Sequence, residues 1–352
     1  MGKLAVYKYT SMMFLVIQII VSIFTFVGLF GGDSNPVSST ATAMIVFALP
    51  LLILANAILL VYWLARRRFH WAAIPFITLL CCIPYIGTIY QLRSLPADDE
   101  TQPGFKLASY NVAAFGRETS GFMAQDILSV MKQHKVDILC IQEYLDASGD
   151  KKNSDSYKEY FPYMAVGKDD MVIYSRYPIK KSKTIPFEET NNSAMWADID
   201  INGKTIKVFN VHLETTGFSR TISRVRRLER QGQRVEDNTI IKAIYGNYTL
   251  GMIIRAGQAI TVANEQRMSH LPAIICGDFN DVPYSFVYNT LSEGMVDGFK
   301  ECGSGWMYTY RGKKSVRIDY ILHDKSLQGI NYYKQELTYS DHLPVFMKFK
   351  LQ

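Results

Sequence analysis

The chain has 352 residues, 48% of them hydrophobic, and carries a formal charge of +6. That length accommodates one sizeable domain and something more, and so mild a basic excess, for which ordinary solubility is reason enough, decides nothing about partners by itself. The five cysteines show neither zinc-ligand spacing nor a disulfide framework, which excludes a small stapled scaffold.

Three uncharged runs open the chain, at about 10–30, 43–65 and 71–92. Each is long enough to cross a bilayer core of ~30 Å, and three in series are too many and too long for a cleavable signal peptide. Tyr7, Tyr9, Tyr62, Trp63, Trp71 and Tyr90 stand at the ends of these runs, where interfacial aromatics belong. Lys3, Lys8 and the Arg66–Arg67–Arg68 turn are basic, whereas the loop from Gly31 to Thr42 holds only Asp33. The positive-inside rule then puts the N-terminus and the arginine turn in the cytoplasm, and three crossings put everything after about Arg93 outside. A compact anchor of this kind without a cleavable signal points to a bacterial cytoplasmic membrane. Residues 1–93 are thus expected to form a membrane anchor with three transmembrane helices, 94–104 an exposed linker, and 105–352 a catalytic domain.

Beyond the linker, short apolar or alternating runs predict strands over Lys106–Val112, Asp137–Gln142, Met171–Ser175, Met195–Ile201, Thr205–Leu213, Ala273–Gly277, Val316–Leu322 and Val345–Leu351. Helical patterns fall at Gly121–His134 and from about Ser219 to His270, with no internal repeat, so the domain reads as α/β with strands in the majority. Polar residues terminate these strands: Asn111, Glu143, His212, Asp278, Asn280, Asp319, Asp341 and His342. A strand end is where a rigid scaffold hands a side chain to a loop-lined cleft, so these groups can converge on one metal and one phosphate. Taken singly, each also has a bland reading as a turn or a surface charge. The oxygen-rich composition suits Mg2+ or Mn2+ better than zinc.

The wording around those residues is Ser109-Tyr110-Asn111-Val112, Ile141-Gln142-Glu143, Asn210-Val211-His212-Leu213, Cys276-Gly277-Asp278-Phe279-Asn280, Arg317-Ile318-Asp319-Tyr320 and Ser340-Asp341-His342-Leu343-Pro344. In that order the chain from about residue 105 onward resembles the endonuclease/exonuclease/phosphatase superfamily. The resemblance implies a four-layer α/β sandwich, two mainly antiparallel sheets flanked by helices, with the site at one end. It also implies roles. Glu143 is the principal metal carboxylate, Asn111 supports metal or phosphate, and Asp341 adds a weaker metal contact. Asp278 orients or deprotonates the attacking water, Asn280 donates to the phosphate, and Asp319 pairs with the His342 imidazole. His212 stands where abasic-site endonucleases of the superfamily have tyrosine, which argues against a DNA-repair specialist.

Substrate choice is less legible. Arg220, Arg224, Arg226, Arg227, Arg230 and Arg234 punctuate a helical pattern that reads as a solvated face, a lipid contact or a track for a polyanion, with Arg224 and Arg227 as candidate substrate contacts. Arg255 is a further candidate, with a structural role favoured. Trp306, Tyr308 and Tyr310 alternate as if on one face of an extended segment, and Tyr310 is a candidate for the cleft rim. The leading expectation is a membrane-anchored nuclease or phosphodiesterase acting outside the cytoplasm on nucleic acid. The alternative is a phosphodiesterase or phosphatase on phospholipid head groups, sphingomyelinase-like or phosphoinositide-phosphatase-like. A non-catalytic tethered binding module is the third. The sequence implies no protein partner.

Overall fold

The structure, a computed structural model, describes residues 3–93, 102–113, 122–144, 151–168, 171–188, 190, 192–215, 230, 237–312 and 315–351. It opens with a helical unit: α1 (Lys3–Gly31), α2 (Thr40–Ile45), a 3-10 turn (Val46–Ala48), α3 (Leu49–Ala65), α4 (Phe69–Cys81) and the single turn α5 (Ile83–Ile86). Two stretches, Tyr7–Gly31 and Thr40–Ala65, are long and apolar enough to cross a membrane. The third expected span is not one continuous helix, because α4 stops at Cys81 after 13 residues. Pro84 has no N–H to donate and crowds Ile83, so the helix breaks at Cys82 and restarts for only four residues.

The helices are joined by buried polar groups. The Gln18 amide donates to Ser22 Oγ at 2.8 Å and to Asn56 Oδ1 at 3.0 Å. Asn56 donates to Thr25 Oγ1 at 2.9 Å, and Thr78 of α4 donates to Ser22 Oγ at 3.1 Å. All five residues are buried, whereas Val16, Ile20, Leu54, Ile58 and Val61 are exposed. The unit is therefore polar at its centre and apolar outside, the reverse of a water-soluble bundle.

The remainder is a sandwich of two six-stranded sheets. One has the order β10 (Met295–Asp297), β12 (Asp319–Asp324), β9 (Ala273–Asp278), β8 (Lys204–His212), β7 (Ser193–Ile201), β6 (Ile179–Pro186). The other runs β13 (Gly329–Lys334), β14 (Val345–Lys350), β2 (Gly104–Asn111), β3 (Ile138–Gln142), β5 (Val172–Ser175), β4 (Tyr163–Val166). Alternation along each strand divides its side chains between two layers. Phe105, Leu107, Ile138, Cys140, Val208, Ile274, Cys276 and Met347 fill the space between the sheets. Tyr110, Leu139 and Ile141 face α6 (Phe122–Gln133) through Ile127, Leu128 and Met131. Phe209, Val211 and Ile275 face Ala259, Val262 and Ala263 of α8 (Asp237–Arg267) and Val287 and Leu291 of α9 (Phe286–Ser292). The result is the expected four-layer α/β sandwich. Helices α7 (Lys151–Tyr160) and α10 (Gly298–Cys302) complete the described helices.

Two strand pairs are parallel, β2 with β3 and β8 with β9; the other ladders between six-stranded-sheet neighbours are antiparallel. Parallel neighbours end together, so Asn111 and Gln142 finish side by side in one sheet and His212 and Asp278 in the other. The backbones of β8 and β9 approach so closely that a Cβ on Gly277, at φ 134°, would lie 2.0 Å from the Val211 carbonyl oxygen. Only glycine fits there.

The helical unit is docked on the sandwich. Leu29, Val46, Leu49, Cys82 and Tyr85 form one apolar cluster with Val282 and Tyr284. Strand β1 (Tyr90–Gln91) pairs with β11 (Gly305–Trp306), and Met307 N donates to Ile89 O at 2.9 Å. Arg317 bonds Thr88 O at 2.8 Å while gripping Asp297 through both guanidinium nitrogens, at 2.8 and 2.6 Å. Tyr90 and Gln91, expected inside a transmembrane run, are thus part of a two-stranded sheet with the other unit.

Candidate active site

The strand ends described above bring seven of the sequence-predicted residues to one end of the sandwich. Asn111 closes β2 and Glu143 follows β3; His212 and Asp278 close β8 and β9. The antiparallel register places Asp319, the first residue of β12, opposite Asp278, and Val345, the first of β14, opposite Ser109, which carries His342 to the same end.

Asn111 is fully buried and links the two sheets: its amide NH2 donates to Asp278 Oδ2 at 3.0 Å and to Glu143 Oε1 at 3.2 Å. Its Oδ1 accepts from Ala113 N at 3.0 Å, so the amide nitrogen, not the oxygen, faces the carboxylates. Glu143, at φ 51°, is 39% exposed at its side chain and has carboxylate surface open to the cleft. His212 Nε2 lies 3.8 Å from Glu143 Oε1 and 4.0 Å from Asp278 Oδ2. Asn280, at φ 52°, holds Asp278 from behind: its backbone N–H donates to Oδ1 at 2.8 Å, and its side-chain amide reaches Oδ2 at 3.2 Å and Leu213 O at 2.9 Å. That amide is occupied by the protein rather than directed at a substrate.

The Asp319–His342 pair expected from the resemblance is present, with Nδ1 at 3.0 Å from Oδ2 and 3.2 Å from Oδ1. The other ring nitrogen points toward Asp278 Oδ2 at 3.6 Å. Ligand atoms of Asp278, Asp319 and His342 all lie within 4.8 Å of one another, and all three residues are buried. Burial pushes the Asp278 carboxyl above the usual range, with Asp319 adding to the rise and the His342 and His212 rings opposing it. Burial alone would lower His342, but Asp319 and Asp278 outweigh it and raise the imidazole to about 10. The ring is therefore cationic through neutral pH, and the stability it contributes is present below its ordinary value of 6.5 and lost as pH rises through about 10. An Asp319→Asn enzyme should show its alkaline loss of kcat/KM displaced downward by about one to three pH units, since the largest of the charges that raise the ring is gone. An unmoved alkaline limb in a pH–rate profile would refute the assignment.

The other candidates are distributed differently. Asp341 is exposed, with its carboxylate on the Tyr310 hydroxyl, and stands outside the buried group. Tyr310 does reach the site, its ring 5.0 Å from that of His342. Trp306 and Tyr308 do not share its face. Trp306 packs on Tyr90 at 4.9 Å, and Tyr308 donates to Glu336 under the Lys334 ammonium. Regular extended pairing ends at Trp306, so alternation does not continue to Tyr310. Arg224 and Arg227 lie outside the described residues.

Of the supporting residues, Arg255 had a structural role favoured from sequence, and the others carried none. Thr309 Oγ1 accepts from the backbone N–H of both Ile318 and Asp319 at 3.0 Å. Ser340 donates to Asn111 O at 2.8 Å and accepts from His342 N at 3.0 Å, tying β2 to the His342 turn. Arg255 of α8 is fully buried and bridges Asp281 Oδ2, at 3.3 Å, and Glu214 O, at 2.9 Å, so it fastens the loops after β8 and β9 rather than facing substrate. Ser340 and Arg317 sit inside quoted motifs and could have been singled out there; Thr309 acts across the fold and leaves no local signal.

Comparison with known proteins agrees with this architecture. TDP2 of Caenorhabditis elegans, in a truncated form, superposes with a TM-score of 0.51 at 16% identity, covering 70% of this chain and 98% of that one. A humanized D. rerio TDP2 gives 0.50 at 17%, covering 70% and 99%. An endonuclease/exonuclease/phosphatase family protein of Bacteroides thetaiotaomicron gives 0.50 at 19%, covering 71% and 99%. No curated protein matches the chain. The profile of a domain of unknown function matches residues 11–89, the helical unit. The profile described as the Endonuclease/Exonuclease/phosphatase family matches residues 108–342, about two thirds of the chain and the whole stretch from Asn111 to His342. The chain belongs to that family, whose members are phosphoester hydrolases.

Proposed function

We propose that the protein is a Mg2+- or Mn2+-dependent phosphodiester hydrolase held on the outer side of a membrane. The observation that carries the reaction is the convergence of Asn111, Glu143, His212, Asp278, Asp319 and His342 within hydrogen-bonding or ion-pair distance across two sheets. Such a network of buried, mutually perturbing groups is far more than a sandwich needs for stability. Its donors fit a hard cation: Glu143 offers a partly exposed carboxylate, and the neighbouring carboxylates supply oxygen rather than sulfur. Bound there, a divalent ion supplies polarisation of a non-bridging phosphate oxygen and relief of charge on the leaving oxygen.

The chain's own groups do the rest. Asp278, held by Asn111 and Asn280, orients the attacking water and takes its proton, for which its raised pKa suits it. His342, kept cationic by Asp319, faces the negative charge that builds on the phosphoryl oxygens. His212 lies between the Glu143 and Asp278 carboxylates and adds a second imidazole to that wall.

The membrane reading is supported by how the helical unit is oriented. Arg66 bonds Ser11 at 3.3 Å and stacks on Tyr7, so the arginine turn and the N-terminus share one end. Asp33, Phe47 and Tyr85 contact Asn289, Tyr248 and Tyr284 of the sandwich at the other end. Broken though it is, α4 with α5 returns the chain to the sandwich end, which supports the odd parity argued from sequence. A reporter fused after Gln352 should be active only as an exported reporter; cytoplasmic activity would reverse the orientation.

Nucleic acid is the first substrate to test, as expected from sequence; docking of the site against the helical unit favours lipid head groups as the second. The full-length protein in detergent, assayed with Mg2+ or Mn2+ against bis(p-nitrophenyl) phosphate, DNA, RNA and phospholipid, should lose turnover in EDTA and regain it with metal. Turnover indifferent to EDTA would sink the metal reading.

A further inference from the structure

Helix α8 carries an apolar stripe whose successive parts are covered by different partners. Met252, Ala256, Ala259 and Ala263 recur at helical spacing and are buried on the sandwich. One turn toward the N-terminus, the Tyr248 ring meets Phe47 edge-on at 5.5 Å, at the head of α3. One turn further, Tyr245 is 51% exposed, ~10 Å along the axis from Met252. The stripe leaves the sandwich, crosses the head of a helix long and apolar enough to span a membrane, and continues past it. On the opposite flank Trp306, 66% exposed, rests on Tyr90 beside the exposed Leu92.

We propose that these two flanks are a second membrane contact, in which the first turns of α8 and the Trp306 tip lie in the head-group layer of the bilayer crossed by α1 and α3. The proposal rests on reading those helices as membrane-spanning. What covers the patch follows from continuity: Tyr248 and Tyr90 join each flank directly to the helical unit, and the surroundings of that unit at this level are lipid. Tyrosine and tryptophan, apolar with one polar atom, are the side chains that partition to this layer. The contact also fixes the height of the site. Arg317, bonded to Thr88 O, is two residues from Asp319, and Val282, packed on the helical unit, is two from Asn280, so each link is roughly 7 Å of extended chain. The catalytic end is held at the level of lipid phosphates.

The test uses the full-length protein in nanodiscs of phosphatidylethanolamine and phosphatidylglycerol with plain or brominated acyl chains. The four tryptophans are Trp63, Trp71, Trp196 and Trp306. The emission lost in Trp306→Phe isolates the one at issue, and Tyr245→Trp in that background reports the other flank. An interfacial aromatic sits ~5–10 Å into the head-group and acyl boundary, so both signals should be quenched about two-fold by bromine. Quenching of Trp63 and Trp71 without quenching at positions 306 and 245 would overturn the second contact while leaving the spanning helices in place. Absence of quenching at all four positions would overturn the membrane reading itself, and this proposal with it.

Discussion

Asp278→Asn should fold normally and turn over about 10^2–10^4-fold more slowly than the intact enzyme, the range associated with loss of a positioned general base. The substitution keeps the shape of the side chain, removes its charge and basicity, and replaces one acceptor oxygen with an NH2 that can no longer accept from Asn111 or Asn280. Asn111, Asn280 and His342 still surround it, so the loss is expected in kcat rather than in KM. Asp278→Asn also removes one of the three carboxylates that raise His342, which moves the alkaline limb of any residual activity downward. The measurement is a steady-state series on bis(p-nitrophenyl) phosphate, with a melting curve to certify the fold. Residual activity within a factor of a few of the intact enzyme would remove Asp278 from the reaction.

Arg317→Met should be the most destabilising single change outside the site. Arg317 and Asp297 are both fully buried and bonded through two nitrogens, and the Arg317 pair overrides burial to hold the Asp297 carboxyl below its usual range. Breaking a buried pair from one side leaves a charge with no partner and costs about 3–5 kcal/mol. Here it also frees Thr88 O, so the loss should include the junction between the helical unit and the sandwich. Limited proteolysis should then cut near residues 88–102 in the variant and not in the intact protein. The double variant Arg317→Met with Asp297→Leu should recover part of the stability, since it removes the orphaned carboxylate but also the acceptor that Asp297 gives the Tyr288 hydroxyl and the Phe299 N–H. If it does not, the cost lies elsewhere than in the orphaned carboxylate.

What the sequence made legible follows a physical division. Strands buried on both faces, such as β3 and β9, write themselves as continuous apolar runs, and the polar residue that ends each one stands out against it. That is why Glu143 and Asp278 could be singled out without coordinates. The edge strands gave no such signal: β6 reads Ile-Lys-Lys-Ser-Lys-Thr-Ile-Pro, with its lysines facing solvent, and β4 and β13 are equally half-exposed. The third apolar run was long enough to be taken for a full span, yet Pro84 divides it, a local backbone effect that a hydropathy window averages away. Least legible were contacts made between distant parts of the chain. Arg255 lies in an amphipathic helix and could have faced either way, and only the position of Asp281 and Glu214 decides that it points inward. Pairing of Tyr90 with Trp306 likewise depends on two segments more than two hundred residues apart.

The buried amide of Asn56 bears on how such a chain is made. Placed alone in a hydrocarbon layer, α3 could satisfy this amide only in part, through one N–H on Leu52 O a turn back; the amide oxygen and the other N–H find partners when Gln18, Ser22 and Thr25 of α1 are alongside. The second helix to emerge from the ribosome is therefore stabilised in place by the first, and α4, through Thr78, by the pair already assembled. Biogenesis then has a built-in order. On the membrane reading proposed above, the helices that the segment from Thr88 to Arg93 docks with are locked together before that segment leaves the ribosome, and the domain that follows folds onto a finished platform.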